Sequence, residues 1–266
     1  MTTTAILTAA GSGQRLCADV PKALVPINGQ PMVRIAALNL IRSGVVDEII
    51  VTMPDGFAAQ FETALAGLKP PAMLILGGQT RQDSITAALK QLSPTCAKVL
   101  VHDAARPFTP PKLIAQVANA ITAEAKAVIP ALPVTDTIKR VGGRDPVSSG
   151  AQSLRFRDSA VLPPTAQSED LASATALHSA QNDSLVTATL DRETLRAVQT
   201  PQGFDRATLE KAYQNASGME IQGTDDASLV EAIGVPVQVI PGDPAALKIT
   251  TPTDLKISEL LYGGAR

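Results

Sequence analysis

The chain has no tryptophan, and aromatic residues of all kinds make up 3% of its 266 positions. Successive bases of a single-stranded nucleic acid would find no stacking platform here. A basic surface is missing too. The formal net charge is −2, which argues against a nucleic-acid-binding face, so any anionic ligand has to be met by a local cluster of cations. Only two cysteines occur, Cys17 and Cys96, in no C-x-x-C pair and at no metal-ligand spacing. That fits a reducing cytosol and gives no case for a disulfide or a structural zinc. No apolar run approaches the roughly 18 residues of a spanning helix, and no basic stretch precedes the first apolar run. The expectation is a cytoplasmic protein with neither nucleic acid nor membrane as a partner.

What the chain does have is a series of short, continuous apolar runs: Ala5–Thr8, Glu48–Thr52, Met73–Leu76, Val99–Val101 and Ala127–Pro130. Continuous rather than alternating apolar character marks strands covered on both faces, and amphipathic helical patterns lie between them. Right-handed crossovers then predict an α/β fold with a doubly wound, mostly parallel sheet. The length suits one large domain with a sizeable core, taken here as residues 1–266. In such sheets ligands sit beyond the carboxyl ends of the strands, so the residues after each run are the informative ones.

After the first run comes the stretch from Thr8 to Lys22, with Gly11 and Gly13 followed by Arg15 and Lys22. Glycine lets backbone N–H groups approach an anion closely, and the two cations add full charge. It is either a phosphate-binding loop or an ordinary glycine-rich turn. A P-loop is excluded because no Lys-Ser or Lys-Thr pair follows, and a dinucleotide fingerprint because Leu16 stands where its third glycine would be. Cations several residues apart suit a triphosphate spread along the loop.

After the third run, Gly77-Gly78-Gln79-Thr80-Arg81-Gln82-Asp83-Ser84 opens a helix with apolar positions Ile85, Ala88, Leu89 and Leu92. Its N–H groups and hydroxyls can read a base edge, or simply cap the helix. After the fourth, Asp103 can bond a ribose hydroxyl or help hold Mg²⁺, with Arg106 as its alternative partner. Thr109 is expected to cap a helix opened by Pro110 and Pro111. His102 is read as a structural residue.

From Pro133 the pattern changes. Val134 to Val141 alternates like a strand exposed on one side, and Thr187 to Arg192 looks like its return. The stretch at about 142–185 between them is rich in Ser, Ala, Gln, Asp and Pro and cannot bury much apolar surface, so it reads as a long loop at the tip of a β-arm spanning about 134–192. A helix is expected from Arg206 to Gln214. Asp225 and Asp226 read as acids favouring the positive end of a further helix. A strand follows at Val235–Ile240, and Pro252 opens the last helix. Lys248 interrupts an apolar run and must either snorkel or face a ligand.

Together Ala9–Arg15 with Pro21-Lys22, Gly77-Gly78 with Arg81 and Ser84, His102–Pro107, Thr200-Pro201-Gln202, Thr224–Ser228 and Lys248-Ile249-Thr250 closely resemble the 2-C-methyl-D-erythritol 4-phosphate cytidylyltransferase family. The motifs occur in the family's order and cover nearly the whole chain apart from the insert. The resemblance implies a nucleotidyltransferase-type, Rossmann-like sheet with a protruding β-arm. It also implies an isoprenoid-precursor reaction that transfers the cytidylyl group of CTP to a sugar-alcohol phosphate, with Mg²⁺ bound mainly through the CTP phosphates. Residue by residue, it implies backbone contacts to CTP from Ala9, Ala10, Gly11 and Gly13, and phosphate contacts from Arg15 and Lys22. Cytosine recognition would fall to Gly78, Asp83 and Ser84, while Asp103 would lie near the ribose and the metal. Lys248 would sit at the reacting phosphate. Thr137, Arg192 and Thr200 would hold the acceptor, the first two reaching across a homodimer. Two departures are visible: Ala246 stands where the family often has Asn, and the arm is several tens of residues longer. A ribitol-5-phosphate cytidylyltransferase or a non-catalytic nucleotide-binding regulator would share much of this pattern.

Overall fold

A computed structural model of the chain describes residues 1–11, 16, 20–142, 185–219 and 223–262. They form two compact units, Met1–Pro133 with Arg196–Arg266, and Val134–Leu195. The larger unit begins with β1 (Thr2–Thr8), a 3-10 turn at Lys22–Leu24 and a small hairpin of β2 (Pro26–Ile27) and β3 (Gln30–Pro31). Then α1 (Met32–Arg42), β4 (Glu48–Met53), α2 (Ala58–Leu65), β5 (Ala72–Leu76), α3 (Arg81–Leu89), β6 (Cys96–Asp103), α4 (Pro111–Ala120) and β7 (Ala127–Pro133) alternate. The smaller unit holds β8 (Lys139–Gly142) and β9 (Leu185–Thr189). The chain closes with β10 (Arg196–Val198), β11 (Gln202–Asp205), α5 (Arg206–Gly218), α6 (Asp226–Ala232), β12 (Gln238–Pro241) and α7 (Pro252–Tyr262).

The strands β5, β4, β1 and β6 lie side by side and run parallel. Successive side chains leave the sheet on opposite faces and both faces are covered. Ala5, Leu7, Ile49 and Val51 pack with α1, α2 and α4, while Ile6, Ile50, Val99 and Val101 pack with α3, α5 and α6. This double burial is why the strands read as unbroken apolar runs. Beyond β6 the sheet is mixed: β11 runs antiparallel between β6 and β7, β10 is antiparallel to β7, and β12 is parallel to it. The sheet is thus doubly wound and mostly parallel, as expected.

Several local expectations need correction. Thr109 does not cap α4; Pro110 is the N-cap residue, and the Thr109 hydroxyl donates to the Arg106 carbonyl at 3.0 Å. With a proline cap no side-chain oxygen reaches the first turn, but proline in that turn removes a donor that would lack a partner. The strands β10 and β11 were not anticipated, because runs of three and four residues carry too little periodicity to read. The last sheet strand starts at Gln238 rather than Val235, and α5 runs on to Gly218.

In the smaller unit β8 and β9 form an antiparallel ladder from Lys139↔Thr189 to Gly142↔Leu185. The first strand begins at Lys139 rather than Val134, and the return ends at Thr189. Past that point Asp191 accepts from the Glu193 N–H and caps a 3-10 turn at Arg192–Thr194, which takes the backbone out of the ladder. Within this unit Arg192 donates to the Thr135 carbonyl at 2.8 Å. Residues 143–184, most of the insert, lie outside the described residues.

Candidate active site

The carboxyl ends of β1, β4, β5 and β6 open onto a cavity of about 550 Å³ in the larger unit. Thr8 to Gly11, Lys22, Gly78, Thr80, Arg81, Ser84, Asp103, Lys248 and Thr250 all line it. One wall is fixed by the sheet itself: the Ala9 N–H bonds the Thr52 carbonyl at 3.0 Å and the Gly77 N–H bonds that of Met53 at 2.8 Å. Since the Ala9 N–H is occupied, backbone donors for an anion on this wall have to come from further along the loop. Gly13 and Arg15, expected in the phosphate loop, lie outside the described residues, as does Cys17.

The wall formed by Gly77 to Ser84 is pinned at both ends. A Cβ on Gly77 would come within 2.5 Å of the Ala10 Cβ, and one on Gly78 would overlap Asp83. Glycine is therefore required by close approach. The Gly78 N–H donates to Ser84 Oγ at 3.0 Å, and the Ser84 hydroxyl donates to the Thr80 carbonyl at 3.0 Å. Its proton is thus committed, so toward any further partner Ser84 is left as an acceptor. Asp83 turns back to the Thr80 N–H in a capping box at the start of α3. The sequence placed Asp83 with the base-reading residues; here its carboxylate stabilises the helix end.

Asp103, at the end of β6, is the hub. Its Oδ2 meets Lys248 Nζ at 2.8 Å, and its Oδ1 faces Arg81 Nε at 3.4 Å and accepts from Thr8 Oγ1 at 3.2 Å. Burial alone would push this carboxyl up, yet Arg81 and Lys248 outweigh it and hold the group well below the usual carboxylate range. Lys248 is delivered from far along the chain. The Ile249 N–H bonds the Ala105 carbonyl at 2.8 Å, and Arg106 donates to the Ala246 carbonyl at 2.7 Å, so this segment is sewn to the end of β6. Arg106 thus serves the backbone rather than Asp103, and the choice left open by the sequence falls to Arg81 and Lys248. The lysine that interrupts an apolar run faces the cavity.

Behind the hub, Thr200 is buried. Its hydroxyl accepts the Asp103 N–H at 3.1 Å and lies 2.9 Å from His102 Nδ1. Burial pushes the His102 imidazole down to about 4, Asp103 opposing that and Arg106 adding to it. The ring is thus neutral at ordinary pH and structural. Thr137 and Arg192 belong to the smaller unit.

Three residues of this site escaped the sequence reading. Thr8 offered only its place at a strand end. Asp226 is fully buried, and its carboxylate is gripped by both terminal nitrogens of Arg81, at 2.9 and 2.7 Å. Tyr213, on α5, donates its hydroxyl to the same carboxylate at 2.6 Å. Asp225 behaves as expected, capping α6 with Ser228.

Among the described residues no cluster of three His, Cys, Asp or Glu side chains is set up to hold a metal. Asp103 is the one carboxylate among the described residues that line the cavity. Mg²⁺ takes oxygen ligands and keeps several waters, commonly using one or two carboxylates plus substrate phosphates. This donor set fits an ion that would be carried mainly by a nucleotide's phosphates, with Asp103 the carboxylate near enough to assist.

Over residues 3–155 and 165–263 the sequence matches the family described as IspD: 2-C-methyl-D-erythritol 4-phosphate cytidylyltransferase. A curated relative of that name from Nocardia farcinica (strain IFM 10152) is 41% identical over 259 residues, which is 97% of this chain and 92% of the relative. Another, from Saccharopolyspora erythraea, is 39% identical over 97% of this chain and 98% of its own. Among solved structures, the 2-C-methyl-D-erythritol 4-phosphate cytidylyltransferase of Thermus thermophilus superposes with a TM-score of 0.69 at 30% identity, covering 98% of both chains. The 4-diphosphocytidyl-2C-methyl-D-erythritol synthase of Anaerococcus prevotii gives 0.75 at 26% identity, over 98% of this chain and 96% of that one.

Proposed function

The chain belongs to the 2-C-methyl-D-erythritol 4-phosphate cytidylyltransferase family, and from that premise we propose that the cavity beyond β1, β4, β5 and β6 is where CTP is held and attacked. The reaction transfers the cytidylyl group of CTP to 2-C-methyl-D-erythritol 4-phosphate, giving 4-diphosphocytidyl-2-C-methyl-D-erythritol and pyrophosphate, a step of isoprenoid-precursor synthesis. The observation that carries the site assignment is the meeting of Lys22, Lys248 and Asp103 with the Gly77–Ser84 wall around one cavity.

An oxygen of the acceptor's phosphate attacks the α-phosphorus in line; the new P–O bond forms as the bond to the β-phosphate oxygen breaks, and the electron pair leaves with pyrophosphate. A phosphate monoester is already a competent nucleophile at neutral pH, so no general base is needed. What the protein supplies is positioning of two anions that repel each other, and countercharge where charge builds up. Lys22 and Arg15 serve the triphosphate chain. Lys248 exchanges its contact with Asp103 for the α-phosphate. Ser84, as an acceptor, suits the amino group of cytosine, and the backbone around Gly78 completes the base wall. Asp103 would stand beside a Mg²⁺ carried on the phosphates, and that ion when bound would supply countercharge for the leaving group.

The acceptor half rests on Thr137, Arg192 and Thr200, with a cytoplasmic homodimer formed through the arm. Support comes from Val141, Leu185 and Val186, which are 55, 66 and 59% exposed on a two-stranded arm and call for a cover. The test is pyrophosphate release from CTP with Mg²⁺, offering methylerythritol phosphate and ribitol 5-phosphate in turn. Release with the first acceptor alone is expected; release with ribitol 5-phosphate alone would move the acceptor assignment, and none with either would leave a nucleotide-binding regulator.

A further inference from the structure

The grip of Asp226 on Arg81 has no place in the chemistry above, yet it is among the most elaborate polar arrangements in the molecule. Asp226 opens α6, Tyr213 sits on α5 and Arg81 opens α3, so three helices of one sheet face converge on a single carboxylate. The acid is fully buried, while the Arg81 side chain is 34% exposed and reaches the cavity. Holding helices together does not require this. A buried ion pair is a weak stabiliser, because desolvation offsets most of its attraction, and apolar packing serves as well.

The geometry of the fork suggests another role. Guanidinium and carboxylate prefer to meet through two parallel hydrogen bonds. Arg81 makes that double bond with Asp226 and presents only Nε, at 3.4 Å, to Asp103. Asp103 Oδ2 is thereby left to Lys248 at 2.8 Å. Were Asp226 uncharged, the nearest carboxylate for the fork would be Asp103 itself, and a fork seated there would take both oxygens and displace the lysine.

We propose that Asp226, braced by Tyr213, is a positioning residue for cytidylyl transfer: by holding the Arg81 fork away from Asp103 it keeps Lys248 aimed at the α-phosphate. This rests on the role given to Lys248 above. The effect belongs to the transition state, where Lys248 meets developing charge, rather than to ground-state binding of CTP.

The test is a double-mutant cycle on the full-length protein, with pyrophosphate release as readout. Asp226→Asn keeps the shape and removes the charge. It is expected to lower kcat about tenfold while the KM for CTP stays within about threefold, the signature of an interaction made in the transition state. Tyr213→Phe is expected to lower kcat about threefold in the same way. In a Lys248→Ala background neither change should cost anything further, because both act through that lysine. Losses that multiply in the double mutants, or an unchanged kcat in both single variants, overturn the inference. Should Asp226→Asn fail to fold, Tyr213→Phe with Lys248→Ala completes the same cycle. A near-wild-type Lys248→Ala would instead sink the reading of the site on which the inference rests.

Discussion

In β1 and β4 of the larger unit all but the end residues are buried, whereas in β8 and β9 of the smaller unit most are exposed on both faces. The contrast extends to the candidate functional groups. Asp103 and Lys248 are held by the sheet, by backbone bonds of their segments, and by Arg81 and the Thr8 and Thr200 hydroxyls around Asp103. Thr137 and Arg192 lie just beyond the ends of an exposed two-stranded ladder, and among the described residues Arg192 bonds the Thr135 carbonyl. A site that must place a phosphorus atom needs the first kind of support. A surface that must recruit an acceptor, or a second copy of the chain, can use the second and gain its rigidity on association.

That contrast can be broken from either side. The largest effect is expected at the rigid end: Lys248→Ala and Lys22→Ala should each lower turnover about a hundredfold or more, since a unit charge 4 Å away is worth about 4 kcal/mol at an effective dielectric near 20. Circular dichroism should show the fold unchanged, and near-wild-type turnover would remove either residue from the mechanism. Gly78→Ala comes next, because the added methyl overlaps Asp83 in the first turn of α3. Overpacking of this kind costs about 1–3 kcal/mol, which should appear as a lowered melting temperature together with a raised KM for CTP. Arg192→Ala should raise the KM for the acceptor by about tenfold and leave the KM for CTP alone, the outcome expected when binding is lost equally in ground and transition states. An unchanged acceptor KM would detach the arm from the acceptor.

The smallest effect concerns His102. Its folded pKa of about 4 lies below the ordinary 6.5, so the unfolded chain takes up the proton first. The associated stability is fully present above 6.5 and is lost as pH falls through 4. Between pH 7 and 6 the loss from this group should stay under about 1 kcal/mol. Denaturant melts of metal-free protein should show a flatter pH dependence for His102→Asn over that interval; an identical slope would mean the ring is not held neutral.

How much of this was legible follows the same division. The parallel strands could be read because burial on both faces leaves an apolar run, and Asp103 and Lys248 because a charge at a strand end or inside such a run is conspicuous. Asp226 could not. In Thr-Asp-Asp-Ala its neighbour Asp225 has the same local surroundings, and both read as acids at a helix start. Only packing distinguishes them, by bringing Arg81 and Tyr213, 145 and 13 residues away, onto one carboxylate and leaving the other to cap α6. The choice between Arg81 and Arg106 as partner of Asp103 was hidden for the same reason, and so was the direction of the Ser84 proton. In the arm, alternation extended the strands past their true ends, because spacing does not register a side chain such as Asp191 ending the ladder with a turn.

The alternation of charge around Asp103 also bears on how a nucleotide arrives. Lys22, Arg81 and Lys248 at the cavity are opposed by Asp103 and, behind it, Asp226, a surplus of one positive charge among the described groups. Among those described groups the cations and the acids nearly offset one another. On the proposed reading, a phosphate oxygen would take the place of the Asp103 carboxylate at Lys248 as charge develops in the reaction. Such an exchange sets one ion pair against another and is indifferent to which nucleoside carries the phosphates. Discrimination between nucleotides would then fall to the uncharged part of the molecule, the base against the proposed Gly77–Ser84 wall.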